Sequence, residues 1–201
     1  MEPRLAISLF ATPVVVFDLP EMEGVNAELA ALLLDEERRV PSWQRANVGG
    51  WHSGPDLAQR QVPAIQTLIR AIVDRVGLTV STLAADAGIA DLPRFRYGVT
   101  AWAMIMRDGH YVVPHDHGEA HFSVAYYVDA GDDAPAPSGR LAFLDPRRGG
   151  RAIPGMPTAF DVAARTGALA IFPGWLQHHV HAYRGQRPRI CISANLAMDP
   201  L

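Results

Sequence analysis

The amino-acid sequence predicts a mainly β fold with helices packed against it, and three observations support this prediction. Up to about residue 92 the apolar residues follow helical spacing, as Leu29, Leu32 and Leu33 do on one face of segment 25–39. From about residue 93 to residue 198, short segments rich in Val, Ile, Phe and Tyr alternate with Gly, Pro and Asp turns, which is typical of a sandwich or small barrel. No linker divides the 201 residues, so we expect one domain spanning 1–201.

The N-terminal elements follow from local signals. Segment 5–19 is apolar but interrupted by Pro13, which indicates an edge strand or two short strands. After helix 25–39, the composition of segment 47–54 indicates a loop. A second helix is predicted from Asp56, as its N-cap, to residue 76, and a short third helix at 79–87.

The C-terminal part predicts seven short strands, with long loops at 129–138 and 145–161. The predicted strands are 94–107, 111–113, 122–128, 140–144, 168–172, 178–183 and 189–197.

Composition excludes several classes of protein. The net charge is −3 without a basic run, which argues against nucleic-acid binding. No stretch approaches the ~18 apolar residues of a membrane span, and no secretory signal is visible. The single cysteine, Cys191, cannot form an internal disulfide, which favours a cytoplasmic location. The sequence is compatible with a homo-oligomer.

Histidines provide the strongest functional signal. His115 and His117 are two positions apart, so on an extended segment both side chains project to the same side. If segment 178–183 alternates regularly, His178 shares the inward face with the apolar residue at position 180. Three histidines on one face of a metal leave its other face open to substrate. Arg189 opens the last strand, on a polar face that continues through Cys191, Ser193 and Asn195 and that we expect to line a cavity.

Several motifs together resemble the Fe(II)/2-oxoglutarate-dependent oxygenase superfamily and, within it, a bacterial group of 2-oxoglutarate-Fe(II) oxygenases. The resemblance covers nearly the whole chain. It rests on LFATPV (9–14), GGWHS (49–53), AWA (101–103), PHDH (114–117), SVAYYV (123–128), DPR (145–147), FPGWLQH (172–178) and RICIS (189–193).

This resemblance implies a double-stranded β-helix (jelly roll, cupin-like) and a dioxygenase that hydroxylates an unidentified small molecule or protein side chain. His115, His117 and His178 would bind Fe(II). Arg189 would pair with the distal carboxylate of the co-substrate 2-oxoglutarate, because a guanidinium matches a carboxylate bidentately. Tyr127 and Ser193 complete the set of residues assigned to the co-substrate; alternatively, the hydroxyl of Tyr127 is satisfied elsewhere.

The sequence departs from the superfamily pattern in ways that leave alternatives open. His117 stands where the usual triad has a carboxylate, and Asp116 or Glu119 could supply that carboxylate if the loop is irregular. Cys191 replaces a frequent serine, and Met104 replaces a frequent asparagine. A three-histidine dioxygenase that does not use 2-oxoglutarate, and a cupin-like protein that holds Zn(II) or Ni(II) without turnover, are the alternative functions.

Other conspicuous residues are given structural roles. Trp102 and Trp175 are expected in the core, with a place in a substrate pocket as the alternative. Three arginines of the 145–161 loop, Arg147, Arg148 and Arg151, are expected in a solvated loop.

Overall fold

The computed structural model describes residues 11–147 and 154–201, which form two antiparallel β-sheets and two α-helices. The helices are α1 (Glu23–Arg39) and α2 (Pro63–Asp86). The strands are β1 (Val15–Asp18), β2 (Asn47–Val48), β3 (Trp51–His52), β4 (Phe95–Met106), β5 (Tyr111–His115), β6 (Phe122–Asp129), β7 (Leu141–Leu144), β8 (Ala159–Val162), β9 (Ala168–Pro173), β10 (His178–Val180) and β11 (Arg189–Pro200).

The two sheets face each other, as the predicted double-stranded β-helix requires. One sheet has the strand order β1-β9-β6-β11-β4-β3 and the other the order β2-β5-β10-β7-β8. Apolar side chains from both sheets, including Tyr127, Leu141 and Phe143, pack together between them. Most neighbouring strands are distant in sequence, which is the topology of a jelly roll. The predicted fold class is confirmed.

The helices cover the outer face of the six-stranded sheet. Ile65, Leu68 and Ile72 of α2 are fully buried against that sheet at the spacing of one helix face. From β11, Ile190 and Ile192 contribute to the same core. In the described part of the chain, neither helix is long and apolar enough to cross a membrane.

The predicted ends of the second helix were wrong. Asp56 precedes only a 3₁₀ turn and makes no capping hydrogen bond through its side chain. The helix begins at Pro63, because a proline favours the first helical turn and holds the preceding residue extended. It then continues to Asp86, so the predicted third helix is its last part. Gly77 weakens this helix by only about 1 kcal/mol and does not end it.

Three strands lie in the N-terminal part, and the sequence predicted only the first of them, the edge strand β1. β1 pairs with β9, and it occupies the end of the predicted segment 5–19, whose first six residues lie outside the described residues. β2 and β3 lie in the predicted loop 47–54 and join one sheet each. Strands of two residues are too short to show alternation, so tertiary pairing alone defines them.

Two differences affect the C-terminal part. The predicted loop 145–161 contains the start of β8, which pairs with β7 at the edge of its sheet. β10 ends at Val180 and not at residue 183. Tyr183 therefore does not follow the alternation of the strand, and it is buried beside Met106 and Val112.

Candidate metal centre

Two neighbouring strands of the five-stranded sheet position His115 and His178. β5 ends at His115 and β10 begins at His178, and the two residues are direct partners in the antiparallel register. His117 lies two residues beyond β5, in a segment fixed by a hydrogen bond of 2.7 Å from its backbone N–H to the carbonyl of Gly174. Gly174 itself lies just before β10, so the same short contact ties both segments together.

The three side chains meet at one point. Each of His115, His117 and His178 offers a ring nitrogen, and these nitrogens all lie within 4.8 Å of one another. The ring centroids are 4.4 Å apart for His115 and His178, and 4.9 and 5.3 Å from each of these to His117. One cation with nitrogen ligands at about 2.1 Å can bridge such a set after small ring movements.

Hydrogen bonds fix the tautomer and the orientation of two of the three histidine rings. Nδ1 of His115 lies 2.9 Å from the carbonyl oxygen of Val113, and Nδ1 of His178 lies 2.9 Å from that of Leu176. A carbonyl oxygen only accepts, so each Nδ1 carries the proton and donates it. The Nε2 lone pairs are then free to coordinate, as in metal sites in which a second acceptor fixes the tautomer.

Burial keeps all three rings neutral. It lowers the pKa of His178 to about 3 and that of His117 to about 4, and it also lowers the pKa of His115. A neutral imidazole is the form that binds metals, because protonation occupies the lone pair. The cluster therefore offers three lone pairs at neutral pH.

The cluster opens into a cavity of about 420 Å³ between the two sheets. Alternate residues in the first part of β11 line it, namely Arg189, Cys191, Ser193 and Asn195, as the alternation of the sequence predicts. Most of their register partners on the flanking strands line it as well. These are Met104 and Trp102 on β4, and Tyr127, Ala125 and Ser123 on β6.

Arg189 lies at one end of the row of β11 residues that line the cavity, and Asn195 lies at the other. Arg189 is only 2% exposed, and among the described residues its Nε has no hydrogen-bond partner. Its Nη1 lies 3.4 Å from the sulfur of Met106, a weak acceptor. A buried guanidinium without an acidic partner is costly, so this end of the cavity is suited to an anion.

Tyr127 lies beside Arg189, and it too has a buried polar atom without a hydrogen-bond partner among the described residues. The guanidinium carbon of Arg189 is 5.0 Å from the centre of the Tyr127 ring. The Tyr127 hydroxyl is buried and has no partner in the described part of the chain. Burial raises the pKa of Tyr127 to about 12, so its hydroxyl keeps its proton and is a donor. The role of Tyr127 toward the co-substrate stays a prediction, and no described residue supports the alternative that its hydroxyl is satisfied elsewhere.

The two carboxylates that the sequence offered as replacements for His117 do not join the cluster. Among the described residues, the group of potential metal ligands contains the three histidines alone. Asp116 lines the cavity, but its Oδ1 accepts a hydrogen bond of 3.2 Å from the backbone of Gly118. Glu119 is exposed.

Trp102 was expected in the core, and the structure places it in the cavity wall beside His117. Trp175 is not in the core either, because it is 50% exposed and lines a separate groove. Of the loop arginines, Arg147 is exposed and paired with Asp145, whereas Arg148 and Arg151 lie outside the described residues.

Sequence reasoning missed His52, and it assigned no role to Ser123. His52 is buried, lines the cavity and stacks on Trp102. The Ser123 hydroxyl donates a 2.8 Å hydrogen bond to Oδ1 of Asn195 at the end of the row opposite Arg189. Alternation of β6 could have indicated Ser123, since it faces the same way as Tyr127. No local signal indicates His52.

Comparisons with known proteins agree with this architecture. Residues 100–195 match the family model described as "Putative 2OG-Fe(II) oxygenase". No curated protein gives a significant match. Three similar solved structures are each under 20% identical in sequence, so the likeness to them shows the fold.

These structures resemble the chain over most of their length. A prolyl-4-hydroxylase from Pseudomonas putida is 16% identical, with 94% of each chain covered and a TM-score of 0.62. A prolyl hydroxylase from Trichoplax adhaerens, solved with a peptide fragment of hypoxia inducible factor, is 13% identical, with 91% of this chain and 82% of that chain covered and a TM-score of 0.60. HygX from Streptomyces hygroscopicus, solved with nickel, 2-oxoglutarate and hygromycin B, is 12% identical, with 92% and 83% covered and a TM-score of 0.59.

Proposed function

Because the chain belongs to the superfamily of Fe(II)- and 2-oxoglutarate-dependent oxygenases, we propose that its central cavity is the active site and that the three histidines hold the iron. The observation that carries this proposal is the presence of two complementary features in one cavity. A cluster of neutral imidazoles suits a divalent metal, and a buried arginine with no acidic partner among the described residues suits a carboxylate.

His115, His117 and His178 fit Fe(II) as ligands because imidazole is among the donors that this ion accepts. The ring nitrogens that they offer lie within 4.8 Å of one another, and their low pKa values keep protons from competing with the metal. Three neutral ligands leave the full +2 charge in place, which favours an anionic co-substrate. With O₂ as the oxidant, bound Fe(II) and 2-oxoglutarate would supply the oxidising chemistry: one oxygen atom of O₂ would enter a C–H bond of the substrate as a hydroxyl group, and the other would end in succinate as 2-oxoglutarate loses CO₂.

The residues at the Arg189 end of the cavity would hold 2-oxoglutarate. Arg189 would pair with its distal carboxylate, and Tyr127 would donate a hydrogen bond from a hydroxyl that has no partner within residues 11–147 and 154–201. Ser193 lines the cavity four residues further along β11 and would add a second donor. Apolar neighbours such as Leu141 and Val180 exclude water, which strengthens these polar contacts.

The opposite end of the row would receive the substrate. Asn195, Ser123 and Trp102 line the cavity there, and two exposed residues, Trp43 and Arg45, also line the cavity. The structural relatives bind a peptide in one case and hygromycin B in another. We propose that this chain likewise hydroxylates either a small molecule or a protein side chain. The free Cys191 thiol is compatible with a cytoplasmic location, which we also propose.

The test is turnover by anaerobically purified protein that is given Fe(II), 2-oxoglutarate and oxygen. We expect slow formation of succinate without substrate and faster formation when a substrate is found. His178→Ala is expected to abolish it. Absence of 2-oxoglutarate binding by calorimetry, with the metal bound, would contradict the proposal. Oxygen uptake on small acidic substrates without 2-oxoglutarate would support the three-histidine dioxygenase, and firmly held zinc without oxygen activation would support the binding protein.

A further inference from the structure

The three histidine rings are held in two different ways. His115 and His178 each donate an Nδ1–H hydrogen bond to a backbone carbonyl. Among the described residues, no hydrogen bond to the ring of His117 is found. Metal-binding histidines depend on such an outer partner for their ring orientation, and its loss usually weakens metal binding. The orientation of His117 therefore needs another source.

That source is an aromatic contact. The ring of Trp102 lies 5.4 Å from the ring of His117, at an angle of 51°. Trp102 also stacks almost parallel to the ring of His52, at 5.9 Å and 10°. The three rings form a chain of contacts from β3, an edge strand of the six-stranded sheet, to the metal centre. Aromatic pairs of this geometry attract each other beyond the effect of the area that they bury.

Strand pairing fixes the backbone positions of Trp102 and His52. β3 pairs with β4, and the pairing extends to Ser53, which exchanges hydrogen bonds of 3.0 and 2.9 Å with the backbone of Ala103. His52 is 6% exposed, and its Nδ1 lies 2.7 Å from the carbonyl of Ser53. Both rings are therefore anchored by the sheet, whereas His117 is anchored only through its backbone.

We propose that Trp102, supported by His52, is a positioning residue that orients the ring of His117 for metal binding. The contact replaces the hydrogen bond that orients the other two histidines. This inference rests on the proposed function only in that it requires a metal held by three histidines. It requires neither 2-oxoglutarate nor turnover.

The experiment measures Co(II) binding, because Co(II) reports its ligand geometry by absorption and does not need oxygen chemistry. We expect Trp102→Leu to weaken Co(II) binding by about tenfold and to change the visible spectrum. Trp102→Phe keeps an aromatic face and is expected to retain the wild-type spectrum with affinity within about threefold. Trp175→Leu is the matched control, since Trp175 is half exposed and outside this cavity, and we expect no change.

A double-mutant cycle separates positioning from a general structural effect. In a His117→Ala background, Trp102→Leu is expected to have no further effect on Co(II) affinity, because the ring that it orients is already gone. An equal loss in both backgrounds would overturn the proposal, as would unchanged binding and spectrum in Trp102→Leu. If Trp102→Leu does not fold, His52→Leu removes the support of the stack, and we expect it to alter the spectrum in the same direction.

Failure of this inference and failure of the proposed function are distinguishable. If the wild-type protein binds Co(II) but neither binds nor decarboxylates 2-oxoglutarate, the proposed function is contradicted. The double-mutant cycle then still tests the positioning role of Trp102 on its own. Wild-type protein that does not bind Co(II) contradicts both.

Discussion

His115 and His178 lie directly opposite each other in the antiparallel pair of β5 and β10, with ring centroids 4.4 Å apart. Residues opposite each other in such a pair have Cβ atoms about 4.5–5.5 Å apart, so the strand register alone brings two ligands together. A slip by one residue would turn one of the two rings to the other face of the sheet. The pairing of these strands is therefore a condition for metal binding.

The first prediction compares two adjacent histidines. His178→Ala is expected to lower Ni(II) or Co(II) affinity by more than about tenfold, because one of three ligands is lost. His179→Ala is the control, since His179 pairs with Ala142 and lies outside the ligand cluster. Metal content after dialysis measures both. Stoichiometric metal in His178→Ala would contradict the assignment.

The second prediction concerns the buried arginine. Arg189→Met is expected to weaken 2-oxoglutarate binding to the Ni(II)-loaded protein, because truncating one partner of a buried charge pair costs about 2–5 kcal/mol. This corresponds to about 30-fold or more in the dissociation constant. The unliganded variant is expected to be at least as stable as wild type, because it no longer buries an unpaired charge.

Arg187→Met is the control for this experiment. Arg187 is exposed and pairs with Asp129 at 2.5 Å, so its loss is expected to cost at most about 1 kcal/mol of stability and to leave 2-oxoglutarate affinity unchanged. Calorimetric titration and thermal unfolding measure the two effects. Equal 2-oxoglutarate affinity in Arg189→Met and wild type would exclude Arg189 as the anchor.

The third prediction uses neighbouring tyrosines that face opposite sides of β6. Among the described residues the Tyr127 hydroxyl has no hydrogen-bond partner, so Tyr127→Phe is expected to stabilise the unliganded protein by about 1 kcal/mol. It is expected to weaken 2-oxoglutarate binding by about 2- to 10-fold through loss of one hydrogen bond. The Tyr126 hydroxyl lies 2.7 Å from Oδ1 of Asn26, so Tyr126→Phe is expected to destabilise the protein by about 1–3 kcal/mol without affecting 2-oxoglutarate. The reverse pattern in chemical unfolding and calorimetry would contradict both assignments.

Alternation predicted much of this site from the sequence. It placed Arg189, Cys191, Ser193 and Asn195 on the cavity face of β11, and it chose His178 over His179. It succeeded because the long strand β11 is regular over that face, with apolar residues on its other side packed against the helices. The fold class followed from the same pattern repeated along the C-terminal part.

Residues whose position depends on tertiary pairing could not be predicted. His52 lies in a strand of two residues, and its stacking on Trp102 requires the pairing of β3 with β4. One face of β4 packs in the core and its other face lines the cavity. The large size of the Trp102 side chain alone suggested that it belongs to the core. Tyr183 lies beyond the end of β10, where alternation no longer applies.

The fourth prediction concerns a close contact between the two segments that carry ligands. A Cβ at Gly174 would lie 2.7 Å from the carbonyl oxygen of His117 and would also collide with that of Ala120. Backbone atoms cannot yield as side-chain ends do, so Gly174→Ala is expected to cost about 1–3 kcal/mol of stability and to weaken Ni(II) binding. Gly24→Ala, with no atom near its Cβ and a place at the start of α1, is expected to be neutral or stabilising. Thermal unfolding with and without Ni(II) measures both, and unchanged Ni(II) affinity in Gly174→Ala would show that this contact does not position His117.

The fifth prediction restores the carboxylate that the superfamily pattern expects in place of His117. His117→Asp is expected to keep a bound metal, because aspartate supplies an oxygen ligand at the same position, whereas His117→Ala is expected to lose about tenfold or more in affinity. Imidazole favours Ni(II) and carboxylate favours Mn(II), so the ratio of Mn(II) to Ni(II) affinity is expected to rise in His117→Asp. The added negative charge also lowers the net charge of the centre, so 2-oxoglutarate is expected to bind the Ni(II)-loaded variant more weakly than wild type. Competition titrations with the two metals measure the ratio. An unchanged ratio would mean that residue 117 does not contact the metal, and the site would then consist of the register pair His115 and His178 with a different third ligand.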